Sequence, residues 1–466
     1  MIHRPDRRRW LCHLALSSAA LLTEAPAAWA AASSAQPLLH VPPMACLRRT
    51  LANGLEVLAL PGGGSGSVSV QVWYRVGGKD DPEGRSGFAH LFEHLMFKGT
   101  RHMAPEQIDR LTEDVGGQNN AFTSEDNTTY QNLVPSHHLE RILWAEAERM
   151  ASLNVDEANF LSERAVVQEE YRQRVLADPY GRLFNAMVGH TFDVHPYRRP
   201  VIGSITDLDA ATLADVQAFH ATYYRPDNAF LIVVGDFDPM QLDGWVNRYF
   251  GPIRRPSSPI PRVNVREPAW THSPAPVHLH GPNVPLPATV LLWKGPPASH
   301  PDGLALQVAQ VLLSSGEASR LHEGLVQRRR IAQSAGWSCS FYTDASSITA
   351  YAIAAGSHRP EALVAPLLDD IRRLAHGPIP AAELDKARTQ VLTSALVGRQ
   401  TPEGRADALG WAMIHGGDPA QADRELMALQ TVRAEDVRQA LRRHVIDRPM
   451  ATLYYSQAPQ AEERPS

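Results

Sequence analysis

Hydrophobic residues recur with two different spacings along the chain, and the changes in spacing predict strands and helices. The stretch NGLEVLALPGGGSGSVSVQVWYRVGG predicts two strands, with the glycine-rich PGGGSGS as the turn between them. Every second residue of the second strand is apolar. The apolar positions of that strand are Val68, Val70, Val72, Tyr74 and Val76. A helical spacing begins at about Ser86 and returns over residues 105–115, 136–152, 157–177 and 210–222. The continuous apolar run AFLIVVGDFD, residues 229–238, then predicts a buried strand.

The second half of the chain shows the same alternation. Strands are predicted at ATVLLWKG, SAGWSCSFYTD and SSITAYAIAAG, and helices over residues 301–315, 318–329, 360–375, 381–398 and 402–416. A weak internal repeat aligns residues 212–235 with residues 431–455, because each contains a predicted helix with Asp-Val, then Arg-Pro, then a strand. The pattern therefore favours two related α+β halves.

Proline marks the boundary between these halves. Residues 251–287 are dense in proline and are predicted to form a linker region. This places one domain at residues 45–250 and a second domain at residues 288–458. Residues 31–44, rich in Ala, Ser and Pro, are expected to be a flexible lead-in, and residues 459–466 a tail.

The first 30 residues have the pattern of an export signal. Arginines precede the apolar run WLCHLALSSAALL, and Ala28-Trp29-Ala30 provides a small-x-small cleavage site. The stretch RRRWL also resembles a twin-arginine signal, and this export route is as well supported as the general one. The apolar run is short for a bilayer span, and no later apolar stretch is long enough. We therefore expect a periplasmic or secreted protein without a membrane span.

Composition narrows the classes of function. The chain of 466 residues is 44% hydrophobic and 20% charged, and its formal net charge of −5 gives no electrostatic basis for nucleic acid binding. Cys12 lies in the predicted leader, so Cys46 and Cys339 remain. Their wide separation favours two separate thiols over a disulfide framework, and it excludes a cysteine-rich zinc site.

The stretch SGFAHLFEHLMFKGT, residues 86–100, carries the candidate chemistry. His90 and His94 are four residues apart, so on a helix both imidazoles lie on one face and can bind one Zn²⁺ at about 2.0–2.1 Å. Glu93 directly precedes His94, so its carboxylate is expected beside the metal. Zinc lowers the pKa of a bound water toward about 7, and Glu93 can act as the general base that takes a proton from this water. Histidines on a helix surface without a metal are a serious alternative, because a catalytic zinc needs a third protein ligand.

The acidic run FLSERAVVQEEYRQR, residues 160–174, is the best source of that third ligand. Glu163 and Glu170 are seven residues apart, which places them on one face of a helix. We prefer Glu170 as the ligand and Glu163 as an accessory carboxylate that steers a histidine or tunes the site. From spacing alone the two could exchange roles, and a solvated acidic face is an equal alternative.

These motifs together resemble a known family. The stretches HLFEHLMFKGT, GGQNNAFTSEDNTTY and ERAVVQEE are similar to the pitrilysin/insulinase family of inverted-motif zinc peptidases, in its processing-peptidase-like bacterial branch. The resemblance extends over residues 45–455 and implies that Glu170 is the third zinc ligand and that Glu163 occupies an accessory acidic position. It also implies that Asn120 and Ala121 contact the substrate backbone along an edge strand.

The same resemblance implies an overall architecture. It consists of two homologous domains, each a mainly antiparallel sheet packed against helices, around a clam-like chamber. Such a chamber admits peptides or unfolded polypeptide segments rather than folded proteins. An edge strand inside it can pair with an extended peptide by β-augmentation.

One departure from the family pattern concerns the second half. Active relatives carry an Arg and a Tyr seven residues apart in L-R-E-x-x-G-L-A-Y, and these help bind substrate and stabilise the oxyanion. The matching stretch LVQRRRIAQS has Val326 and Gln333 at those positions. Either another residue of this chain substitutes, or a homologous sister subunit supplies the Arg/Tyr pair, and the second hypothesis is preferred.

The sequence therefore predicts an exported zinc metallopeptidase that forms the zinc-bearing subunit of a two-chain enzyme. The alternative is a non-catalytic structural or zinc-binding assembly subunit of the same fold. The presence of three candidate ligands and a candidate base argues against that alternative.

Overall fold

Residues 38–458 are described by a computed structural model. The predicted leader (1–30), the first part of the lead-in and the tail (459–466) lie outside these residues. Within residues 38–458 the first half of the chain forms a six-stranded sheet and the second half a five-stranded sheet. In the same range, no helix combines the length and the apolar character needed to cross a bilayer.

The first half supplies both strands and helices. Its strands are β1 (Leu47–Thr50), β2 (Glu56–Pro61), β3 (Ser67–Tyr74), β4 (Gln118–Thr123), β5 (Thr128–Pro135) and β6 (Ala229–Gly235). Its helices are α1 (Phe88–Leu95), α2 (Gln107–Glu113), α3 (Leu139–Ser152), α4 (Glu157–Tyr171), α5 (Gly181–Thr191), α6 (Ile205–Asp209), α7 (Leu213–Tyr223) and α8 (Pro239–Tyr249). Helix α4 continues directly into a π-helical segment, Arg172–Ala177.

The second half has a similar series of elements. Its strands are β7 (Val277–Gly281), β8 (Ala288–Gly295), β9 (Ala332–Ser340), β10 (Ser346–Ala354) and β11 (Ala451–Gln457). Its helices are α9 (Gly303–Ser314), α10 (Glu361–His376), α11 (Ala381–Gly398), α12 (Pro402–Gly416), α13 (Gln421–Leu429) and α14 (Ala434–Leu441). Further π-helical segments are His322–Arg328 and Arg442–Ile446. Strand β7 lies inside the proline-dense stretch 251–287, so that stretch is not irregular throughout.

The two sheets have matching strand orders. The first runs β1-β2-β6-β3-β5-β4 and the second β7-β11-β8-β10-β9, so they correspond strand for strand apart from β1. The pairs β2/β6 and β7/β11 are parallel, and the remaining neighbours in both sheets are antiparallel. The prediction of two related, mainly antiparallel α+β halves is therefore confirmed.

The Asp-Val pair of the internal repeat has a structural cause. Asp215 in α7 accepts a hydrogen bond from the backbone N–H of Thr212 (3.1 Å), and Asp436 in α14 accepts one from the backbone N–H of Arg433 (2.8 Å). Each aspartate thus satisfies a donor at the start of its helix. Helices α7 and α14 then lead into β6 and β11, which are equivalent strands.

Each sheet is covered on its second face by a helix from the other half of the chain. Helix α12 packs Leu409 and Met413 into a cluster with Trp73 and Phe230 of the first sheet. Helix α5 packs in the same manner on the second sheet through Leu183. Because of this exchange, the polar residues of β3 that alternate with its valines are buried rather than exposed: Ser69 and Gln71.

Contacts with residues of both halves hold the end of β4 in place. The carboxylate of Asp126, in the turn between β4 and β5, accepts hydrogen bonds from the Tyr197 hydroxyl (2.6 Å) and the Thr343 backbone N–H (2.8 Å). Asp126 is 4% exposed, so these bonds are made away from solvent. Strand β4 therefore ends at a fixed point beside α1.

The cysteines of the described residues agree with the prediction of two separate thiols. Cys46 and Cys339 are both free within residues 38–458. Burial raises the pKa of both thiols, most strongly that of Cys339. Neither is poised as a nucleophile, because the thiolate is the reactive form.

Candidate metal centre

Helix α1 begins at a buried carboxylate. Asp81 accepts hydrogen bonds from the backbone N–H groups of Gly87 (2.7 Å) and Ala89 (2.8 Å), which have no partner within the helix. Gly87 has a φ of +94°, and a Cβ there would lie 3.0 Å from the carbonyl oxygen of Ile202. Glycine suits this position because it adopts the left-handed conformation at low cost. Together these features set the direction in which α1 leaves the preceding loop.

His90 and His94 on α1 converge with Glu170 at the end of α4. Glu170 Oε2 lies 3.5 Å from His90 Nε2 and 3.6 Å from His94 Nε2. Donor atoms of the three side chains all lie within 4.8 Å of one another. In a tetrahedral zinc shell with bonds of 2.0–2.1 Å, the ligand atoms are about 3.3 Å apart. The three side chains therefore fit a zinc ion, and the predicted ligands are brought together.

The protonation state of His90 suits a metal ligand. Burial, followed by the neighbouring His94 and Arg174, lowers the pKa of His90 to about 3. The imidazole is consequently neutral at physiological pH, which is the form that binds metals. Its Nδ1 is buried and has no hydrogen-bond partner among the described residues.

Glu163 contacts His94 on the side away from Glu170. Its Oε2 lies 3.5 Å from His94 Nδ1, and its Oε1 lies 3.1 Å from Lys98 Nζ. Burial opposes ionisation of Glu163, but the hydrogen bonds with His94 and Lys98 outweigh it and lower its pKa. Burial likewise opposes protonation of His94, but the hydrogen bond with Glu163 and the nearby carboxylates raise its pKa. The two glutamates, interchangeable by spacing, thus occupy different positions around His94.

Glu93, the predicted base, is held by a hydroxyl group from β4. Its Oε2 accepts a hydrogen bond of 2.7 Å from Thr123 Oγ1, whereas its Oε1 has no partner among the described residues. Burial raises the pKa of Glu93, and the Thr123 hydrogen bond offsets part of that rise. A carboxylate with a raised pKa is suited to accept a proton near neutral pH.

A cleft of about 670 Å³ opens beside these side chains. Its walls come from α1, β4, the end of α4 with its π-helical extension, and the loop after α5: His90, Glu93, His94, Asn120, Ala121, Phe122, Thr123, Glu170, Arg174, Val201 and Ile202. Strand β4 is the outermost strand of its sheet. The backbone N–H of Ala121 donates to the side chain of Asn120 (2.9 Å) instead of a neighbouring strand. Both predicted substrate contacts thus lie at an open strand edge in the cleft.

The corresponding edge strand of the second half is closed by side chains. In β9, the backbone N–H of Cys339 donates to Gln310 (3.2 Å), and the carbonyl of Trp337 accepts from the Ser314 hydroxyl (2.7 Å). Both partners come from α9. At these positions β9 has no free backbone groups for an added strand, in contrast to Ala121 of β4.

The positions of the family's Arg/Tyr pair carry no such groups in this chain. Val326 packs against the core of the second half, and Gln333 is exposed on β9. Arg330, which stands at the glycine of the family pattern, has a φ of +54°, so the backbone there has the conformation that glycine favours. This agreement supports the alignment. The adjacent Arg329 is bound to Asp370 (2.7 Å).

A second group of metal-type donors lies in the second half: His300, Asp302 and His444. Asp302 Oδ2 accepts hydrogen bonds from His444 Nε2 (2.7 Å) and from Arg443 (2.6 Å). The guanidinium neutralises the carboxylate and occupies the same oxygen that a metal would bind. This group is therefore best described as an ion-pair cluster.

Three site residues were not assigned from the sequence: Lys98, Thr123 and Arg174. Each contacts a carboxylate described above. Lys98 lies 3.1 Å from Glu163, Thr123 lies 2.7 Å from Glu93, and Arg174 lies 2.7 Å from Glu170. Arg174 was accessible to sequence reasoning, because it follows Glu170 by four residues on a predicted helix. The other two contacts cross between elements, so no local spacing indicates them.

Replacing Thr123 by Val is expected to lower kcat for peptide hydrolysis about tenfold while zinc content stays unchanged. The substitution keeps the shape of the side chain but removes a hydrogen bond to a carboxylate, which is worth about 1.5–3 kcal/mol. Steady-state kinetics combined with metal analysis would test this. Thr123→Ser retains the hydroxyl and should restore activity, and equal losses in the two variants would refute the role of the hydroxyl.

Comparisons with known proteins identify relatives of this chain. A model of the insulinase family (peptidase family M16) matches residues 63–204, and a model described as the peptidase M16 inactive domain matches residues 210–391. Zinc protease PqqE of Helicobacter pylori is 34% identical over 343 residues, which cover 73% of this chain and 77% of that protein.

Solved structures show the same fold. A protease from Helicobacter pylori superposes with a TM-score of 0.85 and 29% identity, covering 89% of this chain and 100% of that one. The periplasmic protease PqqL from Escherichia coli superposes with a TM-score of 0.72 and 18% identity. That match covers 90% of this chain but 48% of PqqL, so PqqL is about twice the length of the matched unit.

Proposed function

Because the chain belongs to the insulinase family of peptidases, peptidase family M16, we propose that it is an exported zinc metallopeptidase that hydrolyses peptides or unfolded polypeptide segments. The observation that carries the proposal is the convergence of His90, His94 and Glu170 beside Glu93 in one cleft. Relatives described as zinc proteases support the same choice of metal and reaction.

His90, His94 and Glu170 would hold the metal. Bound zinc supplies a Lewis acid that lowers the pKa of water and polarises a peptide carbonyl. Glu163 keeps His94 oriented through Nδ1, so that Nε2 stays directed at the site. Lys98 in turn neutralises Glu163, which allows that carboxylate to remain ionised although it is buried.

Glu93 performs the proton transfers. Its free Oε1 takes a proton from the attacking water, and the protonated carboxyl then delivers a proton to the leaving amine nitrogen. The Thr123 hydroxyl holds Oε2 during both steps, so the base keeps one orientation. The raised pKa of Glu93 helps the carboxyl group to hold the proton taken from water until it is delivered to the amine.

The edge of β4 would bind the substrate as an additional strand. The Asn120 side chain accepts a hydrogen bond from the backbone N–H of Ala121 at 2.9 Å. A carbonyl oxygen of an extended peptide would accept the same hydrogen bond. Displacing Asn120 frees that donor and leaves its amide available to the peptide. Recognition by main-chain pairing would favour extended substrates, because a folded protein cannot offer a free strand to the cleft.

The chain would act as the zinc-bearing subunit of a two-chain enzyme. Val326 and Gln333 lack the charge and phenol that bind substrate in active relatives, and Arg329 is engaged by Asp370. The double length of PqqL relative to this chain supports an arrangement in which two such units cooperate. A homologous sister chain would supply the Arg/Tyr pair.

Export is part of the proposal. The pattern of residues 1–30 and the periplasmic location given for PqqL support it.

Purified chain should cleave a quenched extended peptide weakly alone and strongly when a sister chain carrying the Arg/Tyr pair is added. The increase is expected because the guanidinium and phenol stabilise charge that develops on the carbonyl oxygen. A chelator should abolish cleavage, and zinc should restore it. Strong cleavage by the lone chain would refute the two-chain arrangement, and absence of chelator-sensitive cleavage in both samples would refute the peptidase.

A further inference from the structure

Glu170 is held from two sides. Its Oε2 faces the Nε2 atoms of both histidines, whereas its Oε1 lies 2.7 Å from Arg174 NH1. The Glu170 side chain is only 17% exposed. A carboxylate with two oxygens can present either one to a metal, so a partner that occupies Oε1 leaves Oε2 as the ligand atom.

Arg174 reaches this position from the π-helical segment that follows α4. It lies four residues beyond Glu170, and it makes no other ion pair or hydrogen bond among the described residues. Its side chain is 73% exposed and lines the same cleft as Asn120 and Thr123. Single π-helical turns inside or at the end of α-helices occur frequently at functional sites.

A neighbouring ion pair provides a direct comparison. Arg172 pairs with Glu169 at 3.2 Å on the same helix, but the Glu169 side chain is 55% exposed and contacts neither histidine. Exposed pairs of this type contribute about 0–1 kcal/mol to stability. If the Arg174–Glu170 pair were only a surface ion pair, its removal would have as little effect as removal of the Arg172–Glu169 pair.

We propose that Arg174 is a positioning residue of the metal centre, which fixes Glu170 so that Oε2 remains directed at His90 and His94 and thereby slows the loss of zinc. The inference rests on the proposed metal site. The charge of Arg174 also repels a bound cation, but its exposed side chain is surrounded by water that screens this repulsion. The direct contact with Glu170 is the stronger effect, because partners of metal-bound carboxylates contribute about 10–100-fold to metal affinity.

The test is the rate at which zinc passes from the full chain to a chromogenic chelator in excess. Arg174→Met removes the charge and with it the ion pair to Glu170 while keeping an unbranched side chain, and we expect it to release zinc about tenfold faster. Arg174→Lys retains a cation at the same place and should stay within about threefold of the wild-type rate. Arg172→Met is the matched control and should release zinc at the wild-type rate.

Several results would overturn the inference. Zinc release from Arg174→Met at the wild-type rate would show an ion pair without a role at the metal, and slower release would show that repulsion dominates. Accelerated release from Arg172→Met to the same extent would indicate a general loosening of the helix. Failure of the wild-type chain to hold zinc would instead refute the metal site itself, which is a separate outcome.

Discussion

Glu93→Gln is expected to reduce kcat for peptide hydrolysis about 10³-fold while the chain keeps its full complement of zinc. The glutamine amide is isosteric with the carboxylate and can still contact Thr123, but it cannot accept a proton from water at neutral pH. General acid–base groups contribute about 10²–10⁴-fold to such reactions. Because Glu93 is not among the three converging donors, its replacement leaves His90, His94 and Glu170 in place.

Steady-state kinetics and metal analysis of the same preparation would test this prediction. Glu113→Gln is a suitable control, since Glu113 ends α2, is exposed and lies outside the cleft. Turnover within a few-fold of wild type in Glu93→Gln would show that another group is the base. Loss of zinc from Glu93→Gln would place Glu93 among the ligands.

His90→Ala is expected to abolish both zinc retention and hydrolysis. Two donors remain after the substitution, whereas catalytic zinc sites use three protein ligands with one open position. The loss of zinc should exceed that caused by replacing any residue that contacts a ligand without binding the metal itself. Hydrolysis should fall to the background rate because no activated water remains.

Dialysis against a moderate chelator, followed by metal analysis and a peptide assay, would measure the effect. His137→Ala serves as a matched control, because His137 is exposed in the turn just before α3 and is not among the residues that line the cleft. Retention of one zinc per chain in His90→Ala would refute the ligand assignment. Circular dichroism of both variants would separate loss of metal from loss of folding.

Much of the fold could be predicted from local patterns. Helices α11 and α12 begin and end where the apolar spacing predicts, and the helix–strand repeat locates α7, β6, α14 and β11. These elements are specified by their own residues, through periodicity and helix capping. Strands β1 and β5 and helices α5, α6, α8 and α13 were not predicted.

Local patterns do not indicate the packing between the two halves. Helix α5 is stabilised by packing on the sheet of the second half, and α12 covers the sheet of the first half. Polar residues such as Gln71 suggest a solvent-facing side for β3, but α12 buries that side and Gln71 donates to Asp407 (3.0 Å). A single sequence carries no local signal that a helix of one half packs on the sheet of the other half.

The candidate site was predictable where its residues share a helix. His90, Glu93 and His94 follow from the four-residue spacing on α1, which the structure preserves. Spacing alone left the choice between Glu163 and Glu170 open, because both lie on one face of α4. The family resemblance implies Glu170, and in the structure only Glu170 lies near the Nε2 atoms of both histidines. Thr123 joins β4 to α1 across thirty positions of the chain, so its contact with Glu93 could not be read from spacing.

Diffraction from crystals of the zinc-loaded chain, recorded on both sides of the zinc absorption edge, would locate the ion. We expect one strong anomalous peak within about 2.2 Å of His90 Nε2, His94 Nε2 and Glu170 Oε2. A peak at another place, such as between His300 and His444, or a Glu170 side chain turned away from the ion, would contradict the proposed centre.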